Sequence, residues 1–274
     1  MTGFHVFAAA DEIVDQIKVR RIGFEDVLDA LRSGLDDFWE KPSHYVFLCL
    51  IYPIAGATLI TWARGANALQ LMYPLMTGFA LIGPFAAIGL YEISRRREFN
   101  LDSSWVHAVE VWRSPAIPAI AAVGLVLVAL FLSWVYAAKL LYVWLYGSVP
   151  PESIMAFFRD VISTQRGWTL IVLGHAVGFL FALAALVTTV IAFPLLLDRD
   201  VGAKAAVRTS ARVVLANPVP MLMWGVIVAV ALLLGSLPFL VGLAVVLPVL
   251  GHSTWHLYRK TVETPDSERR RASR

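Results

Sequence analysis

Five long runs without a single Asp, Glu, Lys or Arg dominate this sequence. They cover residues 45–62, 66–91, 115–138, 167–197 and 213–258. About 20 apolar residues in a helix span the hydrocarbon core of a bilayer, so the first four runs each predict one transmembrane helix. The fifth run is too long for one span and predicts two, separated by a turn at Gly-Ser-Leu-Pro, residues 235–238. With a mean hydropathy of +0.70, the chain is predicted to be an all-α, polytopic membrane protein of about six transmembrane helices.

The distribution of positive charge predicts the orientation. If the N-terminus is cytoplasmic, 19 of the 23 Lys and Arg residues lie on the cytoplasmic side. Since cytoplasmic loops are enriched in Lys and Arg, both termini are predicted to be cytoplasmic. Residues 1–43 are then a cytoplasmic segment with an amphipathic helix, 44–262 form the six-helix transmembrane domain, and 263–274 are a disordered, charged tail.

One pattern occurs three times along the chain. An amphipathic stretch leads to a polar residue and a proline, and a membrane hairpin follows. The stretches run from Phe24 to Phe38, from Trp105 to Trp112 and over residues 203–216, and the prolines are Pro42, Pro115 and Pro218. Because proline in the first turn of a helix loses no hydrogen bond, each is predicted to begin a membrane helix. We therefore predict three units, each a cytoplasmic helix followed by a hairpin.

The loop between the third and fourth spans, residues 147–166, is predicted to lie outside. It contains Pro150-Pro151-Glu152, followed by Ile154, Met155, Phe157 and Phe158. Prolines at the start of an apolar stretch favour a helix beginning there, so a short surface helix is predicted.

Few side chains of the predicted spans can carry chemistry. One titratable histidine, His175, lies well inside a predicted span. It is either a ligand or proton site or a neutral histidine that bonds to a neighbouring helix, and we favour the second interpretation. His252 and His256 are four residues apart and share one helix face. That spacing holds a metal where a third ligand, such as His107 or Glu92, completes it. We favour the interpretation that His252 and His256 are interfacial histidines at the wet end of the sixth span.

Lys204, Arg208 and Arg212 form a basic stripe at intervals of four residues. A helix with such a stripe lies on anionic lipid headgroups in many membrane proteins. The same stripe would also serve as a docking surface for an acidic partner. Charge alone does not separate the two interpretations.

The sequence contains no recognisable catalytic constellation. Cys49 is the single cysteine, so neither an intrachain disulfide nor a Cys-x-x-Cys site can form. A Gly-rich phosphate loop, a nucleophile elbow and a pair of catalytic carboxylates are also missing from the sequence. We predict no catalytic residue, no metal site and no cofactor, and nothing indicates nucleic-acid binding.

Four sequence segments carry a resemblance to a known family. They are residues 83–92 (GPFAAIGLYE), 193–200 (FPLLLDRD), 216–218 (ANP) and 246–259 (VLPVLGHSTWHLYR). With these segments, about residues 20–262 resemble a family of bacterial integral membrane proteins known as domain of unknown function 2189. The resemblance implies a helical fold in the bacterial cytoplasmic membrane and implies no reaction.

Some members of that family are labelled cytochrome c oxidase. A haem–copper subunit needs several histidines deep in the membrane, and His175 is the one here. A dinuclear copper centre needs a pair of cysteines, and Cys49 is the single cysteine of this sequence. The label is therefore compatible only with an accessory subunit or assembly helper of a respiratory complex, without haem, copper or flavin of its own.

Two functional hypotheses follow from the sequence. The first is a non-catalytic membrane protein whose partners are the bilayer, its anionic headgroups and a membrane protein complex. The second is a channel or transporter for a small solute, because proline-broken spans and internal repeats are common in transporters.

Overall fold

The computed structural model describes residues 17–40, 58, 61, 69–79, 81, 83–237 and 242–263. The helices of this part of the chain, numbered in order, are α1 Phe24–Glu40, α2 Met72–Phe79, α3 Gly83–Ala86, α4 Ile88–Glu98, α5 Trp105–Glu110, α6 Ile117–Tyr146, α7 Ile154–Ser163, α8 Gln165–Thr189, α9 Ala192–Asp198, α10 Gly202–Ala216, α11 Pro218–Ser236 and α12 Leu243–Thr261. Short 3₁₀ turns precede α2 and follow α5. The predicted all-α, polytopic membrane fold is confirmed.

Four stretches of the described chain are long and apolar enough to cross a bilayer. They are Met72–Glu98, Ile117–Tyr146, Gln165–Asp198 and Pro218–Ser236, which match the second to fifth predicted spans. The first predicted span, 45–62, lies outside the described residues except for positions 58 and 61. The sixth corresponds to α12, which is not among the four stretches, and its second half packs against α1 and α4.

Two of the four stretches are broken rather than continuous helices. In Met72–Glu98 a turn at Ala87 separates α3 from α4, and Pro84 lies inside α3. Gln165–Asp198 is interrupted at Val190 and Ile191, between α8 and α9. Pro194 follows this break, and a proline nitrogen cannot donate the hydrogen bond that would continue the helix.

The three amphipathic helices pack in a cyclic arrangement. α5 packs on α4, and α10 packs on α8 and α9, so each contacts the second helix of the hairpin that precedes it. α1 packs along α12, the last helix of the third unit. The three therefore gather at one end of the bundle, which we call the basic side. α7 connects α6 and α8 at the opposite end, which we call the α7 side.

The contact between α1 and α12 is close because its residues are small. Val27 and Ala30 of α1 are fully buried, whereas the larger Phe24 and Leu28 on the neighbouring face are exposed. At Gly34 a Cβ atom would lie 2.0 Å from Ser253 Oγ and 2.5 Å from Ser253 N. Only glycine allows this approach, since real Cβ atoms do not come so near to backbone atoms.

The chain before α1 is also fastened to the rest of the protein. Arg20 N donates to Thr261 O at 2.8 Å, and Glu263 N donates to Lys18 O at 3.0 Å, which forms a short antiparallel bridge. The buried side chain of Asn217 accepts from Ile22 N at 2.8 Å and donates to Arg20 O at 3.0 Å. Residues 17–40 thus share one core with α10, α11 and α12.

The predicted prolines occupy different positions from one another. Pro218 is the first residue of α11, as predicted. Pro115 lies two residues before the start of α6, and Pro118 occupies the first turn there, so the prediction was off by a few residues. Pro42 lies outside the described residues, as does the tail from residue 264.

Candidate functional site

A buried carboxylate joins three helices on the basic side. Asp37 of α1 accepts a hydrogen bond from Ser94 Oγ of α4 at 2.5 Å and faces His256 Nε2 of α12 at 2.9 Å, both through Oδ2. Its other oxygen accepts from Arg97 Nη1 of α4 at 2.6 Å. Asp37, Ser94, Arg97, His252 and His256 together are called the Asp37 cluster.

His252 lies at the closed end of this cluster. It is fully buried, and its Nδ1 is 2.7 Å from Ser94 Oγ and 3.8 Å from Asp37 Oδ2. The single hydroxyl proton of Ser94 is donated to Asp37, so the Ser94 oxygen accepts from His252 and the ring proton sits on Nδ1. The prediction of an interfacial, wet position was wrong for His252, because α1 covers the second half of α12.

The electrostatics of the cluster favour a charged Asp37. Burial by itself raises the pKa of the Asp37 carboxyl, but the hydrogen bonds with His256 and Ser94 and the charge interactions with the two histidines together lower the pKa below its usual value. Asp37 is therefore an anion at neutral pH. Arg97 supplies the compensating positive charge, and it also pairs with Glu40 at the end of α1.

The Asp37 cluster is a closed arrangement rather than a ligand set. Both oxygens of Asp37 are engaged, and a guanidinium stands where a cation would bind. Among the described residues, no group of three or more His, Cys, Asp or Glu side chains is placed to hold a metal ion. The two residues considered as a third ligand are engaged elsewhere. Glu92 pairs with Arg95 and Arg96, and His107 with Asp102 and Glu110.

A second network extends the cluster toward the end of α9. Glu98 of α4 accepts from Trp255 Nε1 at 3.0 Å and from Arg259 Nη2 at 2.6 Å, both of α12. Tyr258 donates to Asp198 of α9 at 2.5 Å. Tyr258 and Asp198, which belong to two of the motifs that carried the family resemblance, therefore contact each other, and Glu98 adds the end of α4 to those of α9 and α12.

His175 belongs to a different part of the molecule. It lies on the surface of α8, where Nε2 is 3.2 Å from Tyr73 OH of α2 and Nδ1 is 2.7 Å from Ile171 O. The structure does not bring His175 together with His252 and His256. The contact with Tyr73 is of the kind expected for a histidine bonded to a neighbouring helix.

The basic stripe lies on the outer face of α10. Lys204 and Arg208 are exposed and Arg212 is half-buried, whereas Ala205 and Ala206 on the opposite face are fully buried. The residues that follow the stripe on the surface are apolar, since Leu215 is 78 % exposed and Val219 of α11 is 57 % exposed. The exposed surface thus changes from cationic to apolar where α10 meets the membrane span α11.

Sequence reasoning identified His252 and His256 but missed Asp37 and Ser94. The signal for Asp37 was weak, since this residue lies at helical spacing from the small residues Ala30 and Gly34 and to one side of the large apolar residues of α1. A carboxylate on the buried face of a helix needs a partner, and histidines were available. Ser94 carries no such signal, because serine is common near the ends of helices.

The family comparison agrees with this architecture. Residues 72–198 match the family described as predicted integral membrane protein (DUF2189), which confirms the resemblance found in the sequence over that part of the chain. The matched range includes the motifs at 83–92 and 193–198 and ends before those at 216–218 and 246–259. Neither a curated protein nor a solved structure matches the chain.

Proposed function

We propose that this chain is a non-catalytic protein of the bacterial cytoplasmic membrane whose basic side faces the cytoplasm. There it binds anionic lipid headgroups and acts as an accessory subunit or assembly helper of a respiratory complex of the cytochrome oxidase type. The observation that carries the proposal is the basic stripe of α10, in which Lys204 and Arg208 are exposed while the opposite face of the helix is buried.

The position of the stripe favours lipid headgroups over an acidic protein. Lys204, Arg208 and Arg212 stand directly before exposed Leu215 and Val219. Cationic residues next to lipid-facing apolar residues are found where a helix passes from headgroups into acyl chains. The excess of Lys and Arg in the segments on this side supports a cytoplasmic orientation.

The non-catalytic part of the proposal draws on the Asp37 cluster. Active sites keep a reactive group accessible to a substrate. Here His252 is fully buried, and the carboxylate of Asp37 is enclosed by Ser94, Arg97 and His256. We interpret the cluster as a structural clasp between α1 and the membrane helices.

The lipid interaction can be tested in nanodiscs of anionic or zwitterionic phospholipid. Each basic residue near an anionic surface contributes about 1 kcal/mol, so anionic lipid should stabilise the wild type more than K204Q/R208Q/R212Q. The variant R21Q/R32Q/R159Q is a control of equal charge change, since it removes three positive charges at exposed positions outside the stripe. Equal losses in the two variants would assign the effect to net charge and contradict the role of the stripe.

The respiratory partner is tested separately, by gentle purification of the tagged chain from its own membranes. We expect a stoichiometric partner and haem absorption in the complex, and no Soret band in the chain once the partner is removed. A chain that purifies alone would contradict the accessory role. A Soret band that stays with the isolated chain would contradict the absence of its own haem.

The broken spans support a second candidate, a channel or transporter for a small solute. Discontinuous membrane helices commonly surround transport sites, and Met72–Glu98 and Gln165–Asp198 are both discontinuous. Against this, large apolar side chains fill the described core near the breaks. The ring centroids of Phe85 and Phe193 are 6.1 Å apart. Ile191 and Met221 are fully buried. Solute flux through proteoliposomes of the purified chain would favour the second candidate.

A further inference from the structure

α7 exposes a continuous apolar face on the side of the molecule opposite to the basic stripe. Met155, Phe158 and Ile162 are 68 %, 58 % and 48 % exposed. Their spacing of three and four residues places them on one side of the helix. Large apolar groups aligned in this way mark a surface that is covered by something other than water.

The exposure of this face does not come from a loosely held helix. Ser153 caps α7 by accepting from Ala156 N at 3.1 Å. The ring of Phe157 packs edge-on against Tyr142 and Tyr146, with centroid distances of 5.7 and 5.6 Å. At Gly167 of α8 a Cβ atom would lie 2.2 Å from Val161 O, so α7 approaches α8 as closely as a glycine permits.

The remaining surface of α7 is polar. Arg159 and Ser163 are exposed and lie on a face between the apolar one and the packed one. Asp160 accepts from Arg166 Nη2 at 2.8 Å, which holds a carboxylate and a guanidinium on this same side. α7 therefore presents three faces, toward the spans, toward an apolar medium and toward water.

The surroundings identify the apolar medium. α6 ends and α8 begins beside α7, and both helices expose large side chains there, with Trp144 70 % and Trp168 54 % exposed. Tryptophan is enriched at the boundary between headgroups and acyl chains. The apolar face of α7 thus lies at the level where two membrane spans reach this boundary.

We propose that α7 lies in the membrane interface, with Met155, Phe158 and Ile162 inserted at the boundary of the acyl chains. Its ligand is the hydrocarbon region of the leaflet in which α6 ends, and headgroup charge is not required, since these three residues are apolar. The helix holds the ends of α6 and α8 at a fixed depth. This proposal does not depend on the lipid or protein partner of the basic side.

The depth of each face can be measured by cysteine labelling. In a Cys49→Ser background, single cysteines replace Met155, Phe158 or Ile162, and control cysteines replace Ala156, Arg159 or Ser163. The chains are placed in nanodiscs of phosphatidylcholine and treated with a membrane-impermeant maleimide. Because burial of each apolar side chain is favourable, the first group should react at least about tenfold more slowly than the controls. Equal rates would overturn the proposal.

A second measurement uses the wild-type chain and does not depend on the folding of variants. Hydroxyl radicals generated in water oxidise accessible methionines, and Met221, which is fully buried, provides the slow reference. If α7 lies in the interface, Met155 in nanodiscs should be protected nearly as well as Met221. Rapid oxidation of Met155 in nanodiscs, with protection only in native membranes, would mean that a partner protein covers the face and would also overturn the proposal.

Discussion

The two amphipathic helices α1 and α7 have similar apolar spacing and opposite surroundings. Val27 and Ala30 of α1 are fully buried against protein, whereas no residue of α7 is buried. The apolar face of α1 contains Ala30 and Gly34, which let α12 approach closely, and that of α7 contains Met155, Phe158 and Ile162. Small residues permit helices in membrane proteins to pack tightly. The size of the side chains, rather than their periodicity, thus decides what each face contacts.

The polar contacts of the two regions also differ, since those on the basic side join distant parts of the chain and those on the α7 side join neighbouring residues. On the basic side Asp37 bonds residues that are 57 and 219 positions away in the chain. On the α7 side the polar contacts are local, as between Asp160 and Arg166 or between Ser153 and Ala156. Long-range bonds stabilise the tertiary structure, whereas local bonds stabilise one helix or the junction of two consecutive helices. Variants in the two regions should therefore differ in their effect on stability.

The largest effect is expected for Asp37→Ala. Hydrogen bonds to a charged group typically contribute about 1.5–3 kcal/mol each, and Asp37→Ala removes the contacts with Ser94, Arg97 and His256 together. We expect a marked fall in the unfolding temperature in detergent, and release of α1 to proteases. Asp36→Ala is the matched control, since the neighbouring carboxylate is exposed and its loss should have little effect. Similar stability of the two variants would show that the Asp37 cluster does not clasp α1.

A smaller but distinct effect is expected for Gly34→Val. The new side chain would overlap the backbone of Ser253 and push α1 away from α12. Overpacking of this kind typically costs about 1–3 kcal/mol, measured by thermal unfolding. Gly23→Val serves as the control, because a Cβ there lies 3.9 Å from the nearest atom, Asp26 Oδ2. If Gly34→Val were as stable as this control, the close contact between α1 and α12 would be incorrect.

Much of the architecture could be predicted from the sequence because it depends on local composition. α1, α6, α10 and α11 fall where periodicity and uncharged length placed them. The break between α8 and α9 was not predicted, because a long apolar run gives no sign of where a helix turns within it. The packing of α1 on α12 was not predicted either, since it joins opposite ends of the chain.

The candidate site could be predicted only in part for the same reason. His252 and His256 were recognisable because their spacing lies within one helix. Their burial was not, because it depends on α1 covering them. Asp37 shares a side of α1 with Ala30 and Gly34, and its burial and its partners become known only when three helices are placed together.

The pH dependence of stability should distinguish the Asp37 cluster from the exposed carboxylates. The folded-state pKa of Asp37 lies below the usual value of 3.8. The contribution of the Asp37 carboxylate to the free energy of unfolding is therefore fully present above the unfolded-state pKa. It is lost as the pH falls from about 3.8 through the lower folded-state pKa. Wild-type protein should lose stability over this range more steeply than Asp37→Asn, measured by unfolding in detergent between pH 3 and 7. If the stability of wild type and of Asp37→Asn depended on pH in the same way, the titration of Asp37 would not contribute to the stability of the protein.

The smallest effect is expected for Arg166→Gln on the α7 side. Arg166 is 2.8 Å from Asp160 and lies over the ring of Tyr146 at 4.7 Å, but its side chain is 55 % exposed. The hydrogen bond with Arg166 lowers the pKa of Asp160, so the pair stabilises the fold above the unfolded-state pKa and loses this effect in acid. Solvent and salt screen an exposed pair, so its net contribution is small. Unfolding of R166Q in zwitterionic nanodiscs should therefore match wild type at high salt and differ slightly at low salt. R97Q, which removes the partner of buried Asp37, should lower stability at both salt concentrations. If R166Q and R97Q lost equal stability at high salt, the long-range contacts of the Asp37 cluster would not stabilise the fold more than the local contacts of the α7 side.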